Sequence, residues 1–163
     1  MKTFKIVSLV LTALAIASTS LADPAPQGAM QLLARKQMGS FFPSPVANFQ
    51  LTVFTDGTAK LLFTRQSGSL PVVGKVSEKE LQLMKTEIAE LNAAELVDPD
   101  PNAPICMDAN TVAYTAFRRS EFVRELPLRL FSGCHTSNRK DHKGAQTISI
   151  LDETALRLFN ANY

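Results

Sequence analysis

The chain has 163 residues, of which 17 are Lys or Arg and 15 are Asp or Glu, so its formal net charge is +2. A chain of this length is one ordinary domain that can bury its own hydrophobic core. The small positive balance lacks the basic surplus of nucleic-acid-binding proteins, so we expect no nucleic-acid partner.

Residues 1–22 have the pattern of a secretory signal peptide. Two lysines precede an apolar run that ends at Ile16, and Ser20-Leu21-Ala22 fits the small-residue cleavage rule, with the cut before Asp23. Cleavage there removes both lysines and leaves a formally neutral chain. No later apolar run reaches the ~20 residues of a spanning helix. We therefore expect a periplasmic or secreted protein without a membrane anchor after cleavage.

The mature chain is predicted to begin with a loose leader over 23–28, followed by a single domain over 29–163. Residues 29–37 fit either a short helix or a strand. The strand is favoured because the hairpin that follows needs an added neighbour to be stable.

That hairpin is the clearest local signal. Apolar residues alternate with polar ones on both sides of Asp56-Gly57, a dipeptide typical of tight hairpin turns. The residue numbers of two paired residues are predicted to add up to about 113, so that Leu51 faces Leu62 and Val53 faces Lys60.

A helix is predicted after the flexible link Ser67-Gly68-Ser69. Ser77 and Glu80 have the spacing of a capping box, in which each side chain bonds to the backbone of the other. An apolar stripe follows at helical spacing and is predicted to face the sheet: Leu81, Met84, Ile88 and Leu91.

The segment 98–104 contains three prolines, which exclude a helix and a central strand. We expect a stiff, extended, exposed loop, which would lose little entropy on binding. It is the preferred contact segment, and its predicted binding residues are Asp98, Pro99, Asp100, Pro101 and Asn102.

A second hairpin is predicted from strands over 111–117 and 122–131, with pairing numbers that add up to about 240. The residue numbers of Cys106 and Cys134 also add up to 240, so these cysteines are predicted to form a structural disulfide at the open end of the hairpin. Arg118 and Arg119 at the hairpin tip are further candidate binding residues for an acidic group.

Residues 137–144 are predicted to be a polar loop, and Asp152 to cap a last helix with Leu151, Ala155, Leu156 and Phe159 inward. The element order therefore predicts an α+β fold with two layers. It consists of an antiparallel sheet, made of two hairpins and an N-terminal strand, packed by two helices and held by one disulfide.

The residues that bear chemistry are few. The histidines His135 and His142 lie seven positions apart in the sequence, and no zinc-ligand spacing or other cofactor motif is found. We therefore expect no metal, no cofactor and no catalytic set. An alternative is a small secreted hydrolase that uses Asp108 and His135.

The order of elements also suggests a resemblance. A Thr-Asp-Gly-Thr turn, a Ser-capped helix, a Cys-x-Asp and a later Gly-Cys occur in that order over residues 29–160. This plan is similar to small bacterial secreted domains of unassigned function and to the emfourin-like inhibitors of metalloproteases. The glycine-rich N-terminal segment associated with those inhibitors is missing, since 35–39 holds a single Gly, and no inhibitory residue is transferred.

The functional expectation is a non-enzymatic binding or interaction domain, in an inhibitor-like form if the resemblance holds. Its partner is expected to be another extracytoplasmic protein. The alternatives are the hydrolase and a structural component of the cell envelope.

Overall fold

The structure is a computed structural model that describes residues 31–39, 48–65, 68–98, 110–119, 123–133 and 135–162. The predicted signal peptide and leader lie outside these ranges. No helix within them is both long and apolar enough to cross a membrane.

Within the described residues, eight strands form one antiparallel sheet in the order β4-β3-β2-β1-β6-β7-β8-β5. Two helices, α1 and α2, pack against each other and against the sheet. The elements in chain order are β1 Leu32–Gly39, β2 Asn48–Phe54, β3 Thr58–Arg65, β4 Gly68–Lys75, α1 Glu78–Ala89, β5 Leu96–Val97, β6 Thr111–Arg119, β7 Val123–Ser132, β8 His135–Arg139 and α2 Ala145–Asn160.

The predicted sheet of two hairpins and one N-terminal strand was wrong, although an α+β fold is compatible with the structure. The predicted flexible link at 67–69 runs into β4, where Pro71 lies in an edge strand. An edge strand tolerates a proline because one side of its backbone has no neighbour to bond. The predicted polar loop begins inside β8, whose pairing with β7 and β5 outweighs its weak strand propensity.

The first hairpin has a different register from the predicted one. Leu51 pairs with Leu61 and Val53 with Ala59, one residue away from the expected partners. The turn holds three residues, 55–57, and ends at Gly57 in the left-handed region with φ 82°. A three-residue loop that ends in a left-handed glycine shifts the pairing by one, which a two-residue turn would not do.

The second hairpin also differs in register, with pair numbers that add up to 242 or 243 and a bulge between Tyr114 and Thr115. The geometric reason for the predicted disulfide was a register with pair numbers that add up to 240, and the strands do not have that register. No disulfide is found among the described residues, and Cys106 and Cys134 both lie outside them.

Helix α1 begins as the sequence predicts. The Ser77 side chain accepts a bond from the Glu80 backbone N–H at 3.2 Å, and the Ser77 N–H donates to the Glu80 carboxylate at 2.6 Å. The predicted apolar stripe is buried, from Leu81 to Leu91.

Helix α2 begins seven residues before the predicted capping residue Asp152, which lies in the middle of the helix. Its first turn is capped by a side chain from α1. The Glu87 carboxylate accepts from the backbone N–H groups of Gly144, Gln146 and Thr147 at 3.0, 3.3 and 2.6 Å. A cap from another element leaves no local pattern in the sequence around 144, so the start was missed.

Because α2 is longer than predicted, the set of its side chains that points to the core differs from the predicted set. Leu151 and Ala155 are buried as predicted, but Leu156 and Phe159 are 60% and 42% exposed, and Leu158 is buried in their place. Gly74 makes room for Leu158, since a Cβ there would overlap the Leu158 side chain. One buried cluster joins both helices to strands β1, β2, β3, β6 and β7.

Candidate functional site

The face of the sheet that points away from the helices carries the candidate site. Successive side chains of a strand point to opposite faces. Ala34, Leu51 and Leu61 lie in the core that the helices cover. Their neighbours Arg35, Thr52 and Lys60 therefore point to the other face. We call this surface, from β4 across to β7, the open face.

Strand register places several open-face side chains in one row. Lys60 pairs with Val73 on one side and with Thr52 on the other, Thr52 pairs with Arg35, and Arg35 pairs with Thr115. Neighbouring strands lie about 4.8 Å apart, so Lys60 and Arg35 are separated by about 10 Å at the backbone. The row thus alternates charged groups with hydroxyl groups.

A second row, two residues along each strand, is uncharged. Gln50 pairs with Gln37 on β1 and with Leu62 on β3, and Gln37 pairs with Ala113. The Gln50 amide donates to the Thr52 hydroxyl at 3.2 Å, which ties the two rows together. Both rows carry hydrogen-bonding groups on a fixed backbone, although Thr52 itself is buried.

Arg35 is held in place by its neighbours. Its guanidinium lies 5.2 Å from the centre of the Phe117 ring and 4.0 Å from the Glu125 carboxylate. The Arg35 side chain is 28% exposed, and Phe117 beneath it is buried. Stacking on an aromatic ring leaves the edge of a guanidinium able to bind an anion.

Basic residues outnumber acidic ones on this face. The described side chains that point there include four cations and one anion: Arg35, Lys60, Lys75, Arg119 and the acidic Glu125. The exposed Asp56 lies in the adjacent β2–β3 turn, where the Thr58 backbone and side-chain bonds, together with the charge of Lys75, lower its pKa. The two helices, in contrast, carry five acidic and three basic residues.

The two predicted arginines at the second hairpin have different surroundings. Arg118 points to the helix side and donates to the Leu91 carbonyl, just after α1, at 2.6 Å. Arg119, the next residue, is exposed and lies on the open face. Strand alternation therefore separates one predicted pair into a helix-capping residue and a surface cation.

Of the predicted contact loop, only Asp98 is described, and Pro99, Asp100, Pro101 and Asn102 lie outside the described residues. The Asp98 carboxylate lies 2.9 Å from Nδ1 of His135, and both side chains are largely buried. Asp108, the predicted partner of His135, also lies outside. Among the described residues, no three His, Cys, Asp or Glu side chains come together as a metal site.

A depression of about 240 Å³ lies between β7, β8 and the start of α2. Its lining includes Arg129, Asn138, His142 and Lys143. Arg129 donates to the Asn138 side chain at 2.8 Å, which fixes both groups. The N–H groups at the nearby start of α2 are taken by Glu87.

Sequence reasoning missed a polar cluster on the helix side of the sheet. Lys36 Nζ and the Tyr114 hydroxyl both donate to Oδ1 of Asp152, at 2.7 and 2.8 Å. Burial, and then the bond to Asp152, raise the pKa of Tyr114 well above its usual range, so its phenol stays a donor. This cluster joins α2 to β1 and β6, and the residues are too far apart in the chain for any motif to reveal it.

Searches of protein-family models, curated proteins and solved structures found no match to this chain. The resemblance in element order to emfourin-like inhibitors therefore stays a prediction.

Proposed function

We propose that this chain is an extracytoplasmic, non-enzymatic binding domain that holds another protein on the open face of its sheet. The observation that carries the proposal is the row of polar and charged side chains on a sheet whose opposite face is closed by two helices. Because a continuous core fixes the sheet, the backbone beneath these side chains loses little conformational entropy on binding.

The open face is large enough for this role. The six strands from β4 to β7 span about 24 Å from first to last, and a seven-residue strand such as β2 is about 23 Å long. The product is several hundred square ångströms before side-chain relief is added. Each partner in a standard protein interface contributes roughly 800 Å².

The segment 98–104 is the second proposed contact. Asp98 at its start is tied to His135 on β8, which fixes where the segment leaves the sheet. We expect replacement of Pro99, Asp100 and Pro101 by Gly and Ser to weaken partner capture while the domain stays folded. Unchanged capture would remove this segment from the interface.

The main experiment is affinity capture with the mature protein, residues 23–163, from envelope and culture-supernatant fractions, read by mass spectrometry. Two variants accompany the wild type. Gln37→Trp places a bulky ring on the open face, and Gln82→Trp places the same ring on the exposed side of α1.

We expect one protein to be enriched by the wild type and by Gln82→Trp, and to be lost with Gln37→Trp. Equal recovery by both variants would exclude the open face as the interface. If the wild type enriches no protein, the binding function itself is contradicted.

An inhibitor form of this function follows from the resemblance in element order. It predicts that the mature protein slows an extracellular metalloprotease at micromolar concentration. A broad protease panel without any inhibition would exclude this form and would leave the general binding function untouched.

A small hydrolase is the second candidate, because Asp98 bonds to His135 at 2.9 Å in a largely buried position. A carboxylate at Nδ1 orients an imidazole so that it can act as a general base. This candidate predicts hydrolytic turnover that His135→Ala abolishes with the fold retained. Turnover at the wild-type rate in that variant would exclude it.

A further inference from the structure

We infer that the partner offers an acidic polypeptide segment to four cations on the open face, an inference that rests on the proposed function. The four are Arg35, Lys60, Lys75 and Arg119, which we call the basic band. Their positions, their excess over the anion Glu125 and the amide groups beside them lead to this partner.

The basic band lies on one half of the open face. Lys60 and Arg35 share a row, and Lys75 lies two residues along β4 from Val73, the partner of Lys60. Arg119 lies four residues along β6 from Thr115, the partner of Arg35, in the same direction. The band therefore crosses from β4 to β6 near the β2–β3 and β6–β7 turns.

The local charge of the open face favours an acidic partner at this band. Four cations and one anion among the described side chains point to the open face. A local excess of positive charge orients an approaching acidic partner toward the band. Lys60, Lys75 and Arg119 are exposed and can reach such a partner.

A polypeptide fits this face better than a nucleic acid. Single-stranded nucleic acids bind by stacking bases on exposed aromatic rings between cations. Phe117, the ring beneath Arg35, is buried, and Phe54, which strand alternation also places on this face, is half-buried. The uncharged row of Gln50 and Gln37 instead offers amide groups that match a peptide backbone.

The test measures binding of a fluorescent peptide of alternating Glu and Ser to the mature protein by fluorescence anisotropy at low ionic strength. The band variant is Lys60→Glu with Arg119→Glu, which leaves the partly buried Arg35 intact. The matched control is Lys79→Glu with Lys143→Glu, two exposed lysines away from the open face. Circular dichroism checks that both variants are folded.

We expect the wild type and the control to bind the acidic peptide, the band variant to bind roughly tenfold more weakly, and added salt to weaken all binding. A Gln-Ser peptide should not bind. Absence of binding to the acidic peptide would overturn the inference, and so would equal losses in the band variant and the control.

Two further probes test the class of partner. A polyuronate and a single-stranded oligonucleotide are measured in the same way. Tighter band-dependent binding of either polymer than of the acidic peptide would overturn the polypeptide assignment.

The outcome is separable from that of the proposed function. If the wild type captures a protein that Gln37→Trp loses and the band variant retains, the acidic-segment inference fails and the binding function stands. If no protein is captured, the binding function fails whatever the peptide does.

Discussion

At the scale of single residues, Arg139 is a charged group that is buried in the described structure. Its side chain is fully buried, and its guanidinium donates twice to the Asp141 carboxylate, at 2.8 and 2.6 Å. It also donates to the carbonyls of Pro127 and Asn92, at 3.2 and 2.7 Å. A buried charge is tolerated only when such partners replace its hydration.

We predict that Asp141→Asn destabilises the domain. The change removes the counter-charge of a buried guanidinium, and because the Asp141 side chain is itself 30% exposed, we expect a loss of about 1–3 kcal/mol. Urea unfolding of the variant and the wild type at neutral pH measures it. An unchanged free energy of unfolding would show that the two carbonyls are sufficient for Arg139.

The same pair predicts a pH dependence. The bonds from Arg139, and then that from the Lys143 N–H, lower the pKa of Asp141 from 3.8 to about 2. A lowered pKa in the folded state means that the stabilisation is complete above pH 3.8 and is lost as the pH falls through 2. The wild type should therefore lose stability relative to Asp141→Asn between these values, as urea titrations at several pH values can measure. A constant difference would contradict this interpretation.

At the scale of elements, the start of α2 depends on α1. The Glu87 carboxylate accepts three backbone N–H groups and the Thr147 hydroxyl, the last at 2.7 Å. Gly144 at the cap has φ 95° and supplies no side-chain oxygen of its own. The negative carboxylate also complements the positive end of the helix dipole.

We predict that Glu87→Ala lowers the free energy of unfolding by about 1–3 kcal/mol, since it removes both a cap and a favourable charge. Glu90→Ala is the matched control, because Glu90 is exposed at the end of the same helix. Urea denaturation compares the two. Similar effects of both changes would show that the cap is not the source of the stabilisation.

At the same scale, both edge strands of the sheet have features that limit pairing with another strand. β4 carries Pro71 and the exposed Lys75, and β5 at the other edge has only two residues. A proline, a lysine and a short strand each limit pairing between exposed edges. These features favour binding through the open face over addition of a strand at an edge.

At the scale of the whole molecule, one hydrophobic cluster joins the sheet to both helices. It includes Leu51 and Leu61 from the first hairpin, Met84 from α1, Leu126 from β7 and Leu151 from α2. In addition, β6 pairs with β1, which is about 80 positions earlier in the chain, so neither half of the sheet is complete without the other.

We predict that the domain unfolds in one cooperative step. Because a single core holds all these elements, loss of any one exposes the others to water. Urea transitions followed by far-ultraviolet circular dichroism and by tyrosine fluorescence should coincide. Two separated transitions would show that the first hairpin and the second form independent units.

The sequence by itself determined the features that depend on neighbouring residues. The capping box of Ser77 and Glu80, the stripe that buries Met84, and the existence of both hairpins follow from local patterns. These interactions lie within a turn of helix or a pair of strands, so periodicity and turn residues reveal them.

The tertiary structure alone decided the number of strands, the register of both hairpins and the cap of α2. Polar β8 is a strand because β7 and β5 bond to it, and Glu87 caps a helix that starts 58 residues later. The candidate site has the same origin. Lys60, Arg35 and Arg119 share one face because strand pairing brings distant segments together, and within the described part of the chain the packed helices decide which face is left uncovered.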